Sequence, residues 1–230
     1  MGVNRLQAVI ASGSGRYRDP WHPFARTSAL LSGLLAAGGF TVTIEDDLDQ
    51  AMTRLDGVSL LVVNAGDPWR SGPPGPVPAE ALAGFRHAVQ RGIGILAMHT
   101  APATMRGYPE WAPTIGAIWL PGISGHPPAA EITVTIDDPR FSDSGLASSG
   151  SVEVFDERYC HLQQLGPSEV VGTHTVDGTT HPAVWLRRVG RSRVAVDLLG
   201  HDERSYESET HRALILGLVR WVVDRATEAP

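Results

Sequence analysis

This chain of 230 residues has one cysteine, Cys160. That excludes an internal disulfide and fits a reducing compartment. No apolar run approaches the ~20 residues a membrane span needs. No signal peptide is visible either: Met1 to Gln7 is polar and the apolar run from Ala8 to Ala11 is too short. The expectation is a cytoplasmic protein without membrane contact. Positive charge is scarce as well. A net charge of −6 and a pI near 5.8 leave no basic footprint for nucleic acid. The turn Ser12-Gly13-Ser14-Gly15 has neither the Gly-x-Gly-x-x-Gly spacing nor a Gly-Lys-Ser/Thr ending, so no nucleotide cofactor is expected. Local metal motifs (Cys-x-x-Cys, His-x-x-x-His, His-Glu-x-x-His) and a Gly-x-Ser-x-Gly elbow are also missing.

What is present is enough apolar material, 42% of residues, for one large core. Residues 1–230 read as a single domain. Continuous or alternating apolar stretches place strands at Leu6–Ala11, Phe40–Ile44, Val58–Asn64 and Ile93–Met98. Helical stripes lie between them at Thr27–Ala37, Asp49–Leu55 and Pro78–Arg91. Strand and helix in alternation imply a parallel sheet with crossover helices, an α/β fold. Past Thr100 the pattern changes. Trp111–Leu120 reads as helix or loop, and Glu131–Ile136 alternates like an antiparallel strand. Further strands are expected at Val152–Phe155, Val170–Thr175, Ala183–Arg187 and Arg193–Leu198, and a last helix at Thr210–Arg225.

The chemistry-bearing residues sit where these elements end. His99 closes the central strand, and ligands of open α/β sheets bind at the carboxyl ends of such strands. His126 is framed by Gly125 and Pro127, Glu157 follows the strand ending at Phe155, and His201 follows Arg193–Leu198. Three imidazoles and a carboxylate in turn-locked positions suit general acid/base work, or a site for a divalent metal such as zinc. Taken singly, each has a plainer explanation: Gly-His-Pro is usually a turn, and Asp202 can cap a helix. His87, His161, His174, His181 and His211 carry no comparable frame and read as surface or core residues. Cys160 and His161 would diverge if they lie on a strand, so Cys/His nucleophilic catalysis is not expected.

The ordered set Gly13-Ser14-Gly15 with Tyr17-Arg18-Asp19, Leu34 to Val42, Leu61 to Asn64, Gly94 to His99, Gly125-His126-Pro127, Asp156-Glu157-Arg158-Tyr159 and Gly200-His201-Asp202 with Ser205-Tyr206 resembles the ThuA-like family, named for trehalose utilisation. The resemblance implies a fold similar to class I glutamine amidotransferases: a flavodoxin-like three-layer sandwich with a mainly parallel central sheet. Those enzymes carry a cysteine nucleophile after the strand matching Gly94 to Met98. This chain has His99 there, so glutaminase activity is not implied. Arg158, where an aromatic residue is common in the family, and the proline-rich loop after Trp69 are departures. The family's association with sugar metabolism makes the leading expectation an enzyme of isomerase, lyase or hydrolase type acting on a sugar or keto-sugar. His99, His126, Glu157 and His201 would be acid/base groups or metal ligands. Arg18, His22, Trp69, Asp202 and Tyr206 would line the site. The alternative is a non-catalytic sugar-binding or regulatory module on the same fold. A structural partner subunit would need an exposed apolar face, for which the last helix, with Trp221 and Val222, is the one candidate. A homo-oligomer is left open.

Overall fold

The computed structural model describes residues 5–69, 72–142 and 150–224. In chain order the strands are β1 (Gln7–Ser12), β2 (Thr41–Glu45), β3 (Leu60–Asn64), β4 (Gly94–Met98), β5 (Ala117–Ile118), β6 (Ala130–Ile136), β7 (Ser151–Asp156), β8 (Gln163–Gln164), β9 (Glu169–Val176), β10 (Thr179–Val189) and β11 (Ser192–Asp197). The helices are α1 (Phe24–Ala37), α2 (Leu48–Thr53), α3 (Ala79–Arg91), α4 (Trp111–Ile115), α5 (Pro139–Ser142) and α6 (Glu209–Val223).

Among the described residues the strands form a nine-stranded sheet in the order β2-β1-β3-β4-β11-β10-β9-β6-β7, with β5 and β8 paired apart from it. From β2 through β11 every pairing is parallel; from β11 through β7 every pairing is antiparallel. The expectation of a mainly parallel sheet therefore describes one half of it. The apolar runs of β3 and β4 are buried along their whole length, as strands covered by helices on both faces must be, and β11 is equally buried although Ser192, Arg193 and Asp197 flank its apolar centre. One core joins α1 and α6 to alternate residues such as Ile10, Val62 and Leu96. The other joins α2, α3 and α4 to their neighbours Val9, Leu61 and Ile95.

The departures from the sequence reading have local causes. Helix α1 begins at Phe24 rather than Thr27, because the Pro23 carbonyl accepts from the Arg26 and Thr27 amides and opens the helix early. The stretch 111–120 is neither one helix nor one loop. Gly116, at φ +82°, stops α4, and β5 follows at once. Strands β9 and β10 are longer than expected because Asp177 and Gly178, at φ +48° and +76°, close a tight hairpin that zips both strands outward. Residue 225, expected in the last helix, lies outside the described residues. The apolar face of α6 (Leu214, Ile215, Leu218, Val222) is core packing and leaves no docking stripe. Among the described residues no helix is long and apolar enough to cross a membrane.

Two further histidines sit on that hairpin. His174 is buried; its Nε2 donates to the Tyr159 carbonyl at 3.0 Å, while Nδ1 has no hydrogen-bond partner among the described residues. Burial, with His181 and Arg158 nearby, lowers its pKa from 6.5 to about 4 against the opposing effect of that bond. An unfolded chain takes up this proton near pH 6.5, whereas the folded chain resists until about pH 4. Stability should therefore fall as pH drops through that window, by about 2–3 kcal/mol from this residue. Denaturant titrations of wild type and His174→Gln at pH 7.5 and 4 check this. The variant should lose less on acidification, and equal losses would contradict the assignment.

Candidate active site

The antiparallel alternations return β7 to the direction of the parallel strands, so β4, β7 and β11 all end at one edge of the sheet. Three site residues follow from those ends: His99 after β4, Glu157 after β7 and His201 after β11. Although β7 lies at the margin of the sheet, it packs on α6 and on the short turn Glu203–Tyr206 that follows His201.

Asp156 joins these ends. It is fully buried, and its carboxylate accepts from the Glu157 amide at 2.8 Å, the Gly200 amide at 2.7 Å and the His201 amide at 3.4 Å, and from the Ser205 hydroxyl. Gly200 must be glycine. Its φ is +117°, and a Cβ there would lie 2.9 Å from the Tyr206 hydroxyl. Behind the turn, His211 bonds Asp197 through Nε2 at 3.0 Å and the Ser205 carbonyl through Nδ1 at 2.8 Å, in full burial.

His99 occupies a left-handed backbone position, φ +34°, which is uncommon for a residue with a Cβ. Strain of this kind, about 1–3 kcal/mol, persists where the surroundings over-determine it. Here the His99 amide donates to the Asp197 carbonyl at 2.7 Å, and its Nδ1 donates to the Leu198 carbonyl at 2.8 Å. Nε2 is thereby aimed at the centre, 3.2 Å from the Tyr159 hydroxyl and 3.5 Å from Glu157 Oε2. His22, from the segment before α1, arrives opposite. Its Nδ1 lies 2.8 Å from both oxygens of Asp19, of which Oδ1 also accepts the Trp21 and His22 amides. A carboxylate only accepts, so His22 Nδ1 carries the hydrogen and Nε2 presents a lone pair. That Nε2 stands 3.2 Å from His99 Nε2.

Two neutral imidazoles so tethered would oppose lone pair to lone pair. Without another cation, one proton must sit between them. It falls to His99: burial opposes the charge there, but Glu157 and Asp156 outweigh it and raise the pKa. On His22, burial and the neighbouring His99 and His201 lower the pKa despite Asp19. Glu157 is held ionised. Burial would raise its pKa, yet His201 and His99 drive it far below the usual carboxylate range. Its second oxygen, Oε1, lies 3.4 Å from His126 Nδ1. The His201 ring stands 4.9 Å from that of His22 and 5.4 Å from that of His99. Its Nδ1 is buried, lies 3.5 Å from Glu157 Oε2, and has no hydrogen-bond partner among the described residues.

His22, His126, Glu157 and His201 form the floor of a cleft of about 620 Å³ whose walls include Trp21, Trp69, Trp119 and Tyr159, and His99 lies buried beneath them. The Trp69 indole donates to the Trp119 carbonyl at 2.9 Å, and Arg106 stacks on its ring at 4.7 Å, so this wall is braced. His126 stacks on Tyr159 with ring centroids 5.5 Å apart.

The expected set is thus brought together only in part. His99, His126, Glu157 and His201 meet. His22 meets them at the centre, with Nε2 among the converging donors, and is more than a lining residue. Trp69 lines the cleft. Arg18 does not: it faces a separate cavity of about 270 Å³. Asp202 is turned away, its carboxylate capping the following turn through the Arg204 amide and pairing with the Arg204 guanidinium. Tyr206 is buried in the core against His211 and touches no part of the cleft. A tyrosine beside Gly-His-Asp invites a lining role, but the turn after His201 points it inward. Asp19, Asp156, Tyr159 and Trp119 went unassigned in the sequence. The Asp19/His22 spacing and the Asp-Glu-x-Tyr run were the signals for three of them. Cys160 is buried, and its thiol is pushed up chiefly by that burial, the reverse of what a nucleophile needs.

Solved structures with this fold include ThuA-like proteins from Parabacteroides merdae ATCC 43184 and Bacteroides uniformis ATCC 8492. The first is 16% identical with a TM-score of 0.77, over 99% of this chain and 94% of that one. The second is also 16% identical, with a TM-score of 0.73 over 97% and 93%. A cold-adapted β-galactosidase from Rahnella sp. R3 shares the fold over 99% of this chain but 33% of its own length, at 15% identity and a TM-score of 0.58. No curated protein matches the sequence. The family model described as ThuA, trehalose utilisation, matches residues 8–222, and the chain belongs to that family.

Proposed function

We propose that the protein is an enzyme acting on a sugar or keto-sugar derivative, moving a proton at the carbon beside a carbonyl. The observation that carries this reading is the meeting of His22, Glu157 and His201 on the floor of a tryptophan-walled cleft, with His99 buried directly against them. The family's link to trehalose utilisation supports a carbohydrate ligand. The parallel strand order β2-β1-β3-β4-β11 supports the flavodoxin-like reading of the fold, in which ligands sit at this edge.

Each group has a chemical part. His126 Nδ1 is engaged by the Pro127 carbonyl at 3.0 Å and faces Glu157 Oε1, so Nε2 is the free base. It takes a proton from the carbon next to the sugar carbonyl; the C–H electron pair forms a carbon–carbon double bond and the carbonyl π pair moves onto the oxygen. The imidazole cluster of His22, His99 and His201 faces that oxygen and holds the enediolate. Return of the proton to the neighbouring carbon, with the hydroxyl proton passing between the two enediolate oxygens, isomerises the sugar; departure of a β-oxygen, which takes the proton from His126 as the carbonyl re-forms, cleaves it. Trp69 and Trp119 offer faces for sugar rings. NMR of the protein with a panel of keto-glycosides and their unoxidised parents tests this. At least one keto-glycoside should be consumed and the parents spared. Saturable binding of sugars with no consumption would favour a non-catalytic module.

A further inference from the structure

We propose that His22, His99, Glu157 and His201 bind one divalent transition-metal ion through His22 Nε2, His99 Nε2, His201 Nδ1 and a Glu157 oxygen. One atom from each of the four lies within 4.8 Å of the others. An ion about 2.1 Å from each of four tetrahedral ligands sets neighbouring donors about 3.4 Å apart. The separations here are 3.2 Å for His22–His99, 3.5 Å for His99–Glu157 and 3.5 Å for His201–Glu157.

The hydrogens point the same way. Both tethered imidazoles present Nε2 lone pairs to the same point, and His201 Nδ1 is a buried polar atom without a hydrogen-bond partner among the described residues. A cation at that point satisfies all three, where a single proton satisfies one pair. The outer partners are in place as well. Asp19 holds the far nitrogen of His22 and the Leu198 carbonyl holds that of His99, as ligating histidines require. Three nitrogens with one carboxylate select zinc, manganese, iron or cobalt over calcium and magnesium, which favour oxygen. His126 is not one of the four. It lies across Glu157, near the oxygen that faces away from the imidazoles. An ion here would polarise the substrate carbonyl in the reaction proposed above, but its presence is separable from that reaction.

The test uses the full chain, untagged. After chelator treatment it is dialysed against zinc, manganese or cobalt, freed of excess, and analysed for metal; cobalt is also followed by its visible absorption. Close to one equivalent of at least one metal is expected. Glu157→Gln and His22→Ala should bind at least about 10-fold more weakly, as should Asp19→Asn, while His126→Ala should keep the ion. Circular dichroism checks that each variant is folded. Less than about 0.1 equivalent of every metal on folded wild type would overturn the site, as would binding lost in His126→Ala but kept in His22→Ala. Metal bound without turnover of any keto-glycoside would sink the enzymatic reading alone; turnover without metal would sink only this one.

Discussion

Glu157→Gln should lower kcat on a keto-glycoside by about 10²–10⁴-fold, with a smaller change in KM. The carboxylate works from both oxygens. Oε2 lies 3.5 Å from both His99 Nε2 and His201 Nδ1, and Oε1 lies 3.4 Å from His126 Nδ1. Glutamine keeps the shape and loses the charge on both sides. His126 loses the carboxylate that faces its Nδ1, and the imidazoles lose the counter-charge around which they are set. The Glu157 amide still bonds Asp156, so the backbone should hold and the melting temperature should move little. Single-turnover kinetics with circular dichroism check the result. A variant within a factor of about three of wild type in kcat would place the catalytic carboxylate elsewhere.

Asp156→Ala should cost about 3–5 kcal/mol of stability, the largest loss expected of any polar replacement in the site. Its carboxylate is entirely buried and satisfies the Glu157 and Gly200 amides and the Ser205 hydroxyl, with the His201 amide at 3.4 Å. Alanine leaves the amides in a closed interior without their acceptor, while the Ser205 hydroxyl keeps the Phe155 carbonyl at 3.2 Å. Each such orphan costs about 1–3 kcal/mol, less whatever water recovers by entering. For a chain of this size the melting temperature should drop by about 10 °C. Because the same carboxylate ties the end of β7 to the loop after β11, turnover should fall in the surviving folded fraction too. Asp156→Asn keeps one acceptor oxygen and should lose less. Thermal melts of both variants check the order, and an alanine variant as stable as wild type would remove Asp156 from this role.

The parallel half of the fold was legible because its strands, buried on both faces, are written as unbroken apolar runs such as Leu60 to Val63 and Ile93 to Met98. The antiparallel half was visible strand by strand, but its order was not. Nothing in the sequence of Val152–Phe155 tells that β7 lies at the sheet margin and still meets the loop after β11. That return is made by the fold and by one carboxylate, Asp156. His99, His126, Glu157 and His201 were found because each follows a strand or sits between glycine and proline. His22 was noticed among polar neighbours but given a lesser part. It sits on an irregular segment with no period to place it, and only Asp19 three residues earlier hints at an oriented imidazole. Tyr206 failed for the converse reason. Its neighbours are at the site, but the short turn from Glu203 buries its ring.

The most direct test of the proton-transfer reading is deuterium exchange. A keto-glycoside that the protein consumes is incubated with it in D₂O and followed by NMR at the carbon beside the carbonyl. Deuterium should enter recovered substrate or product at that carbon with wild type and only slowly with Glu157→Gln. Consumption of the substrate with that carbon's hydrogen fully retained would contradict the account.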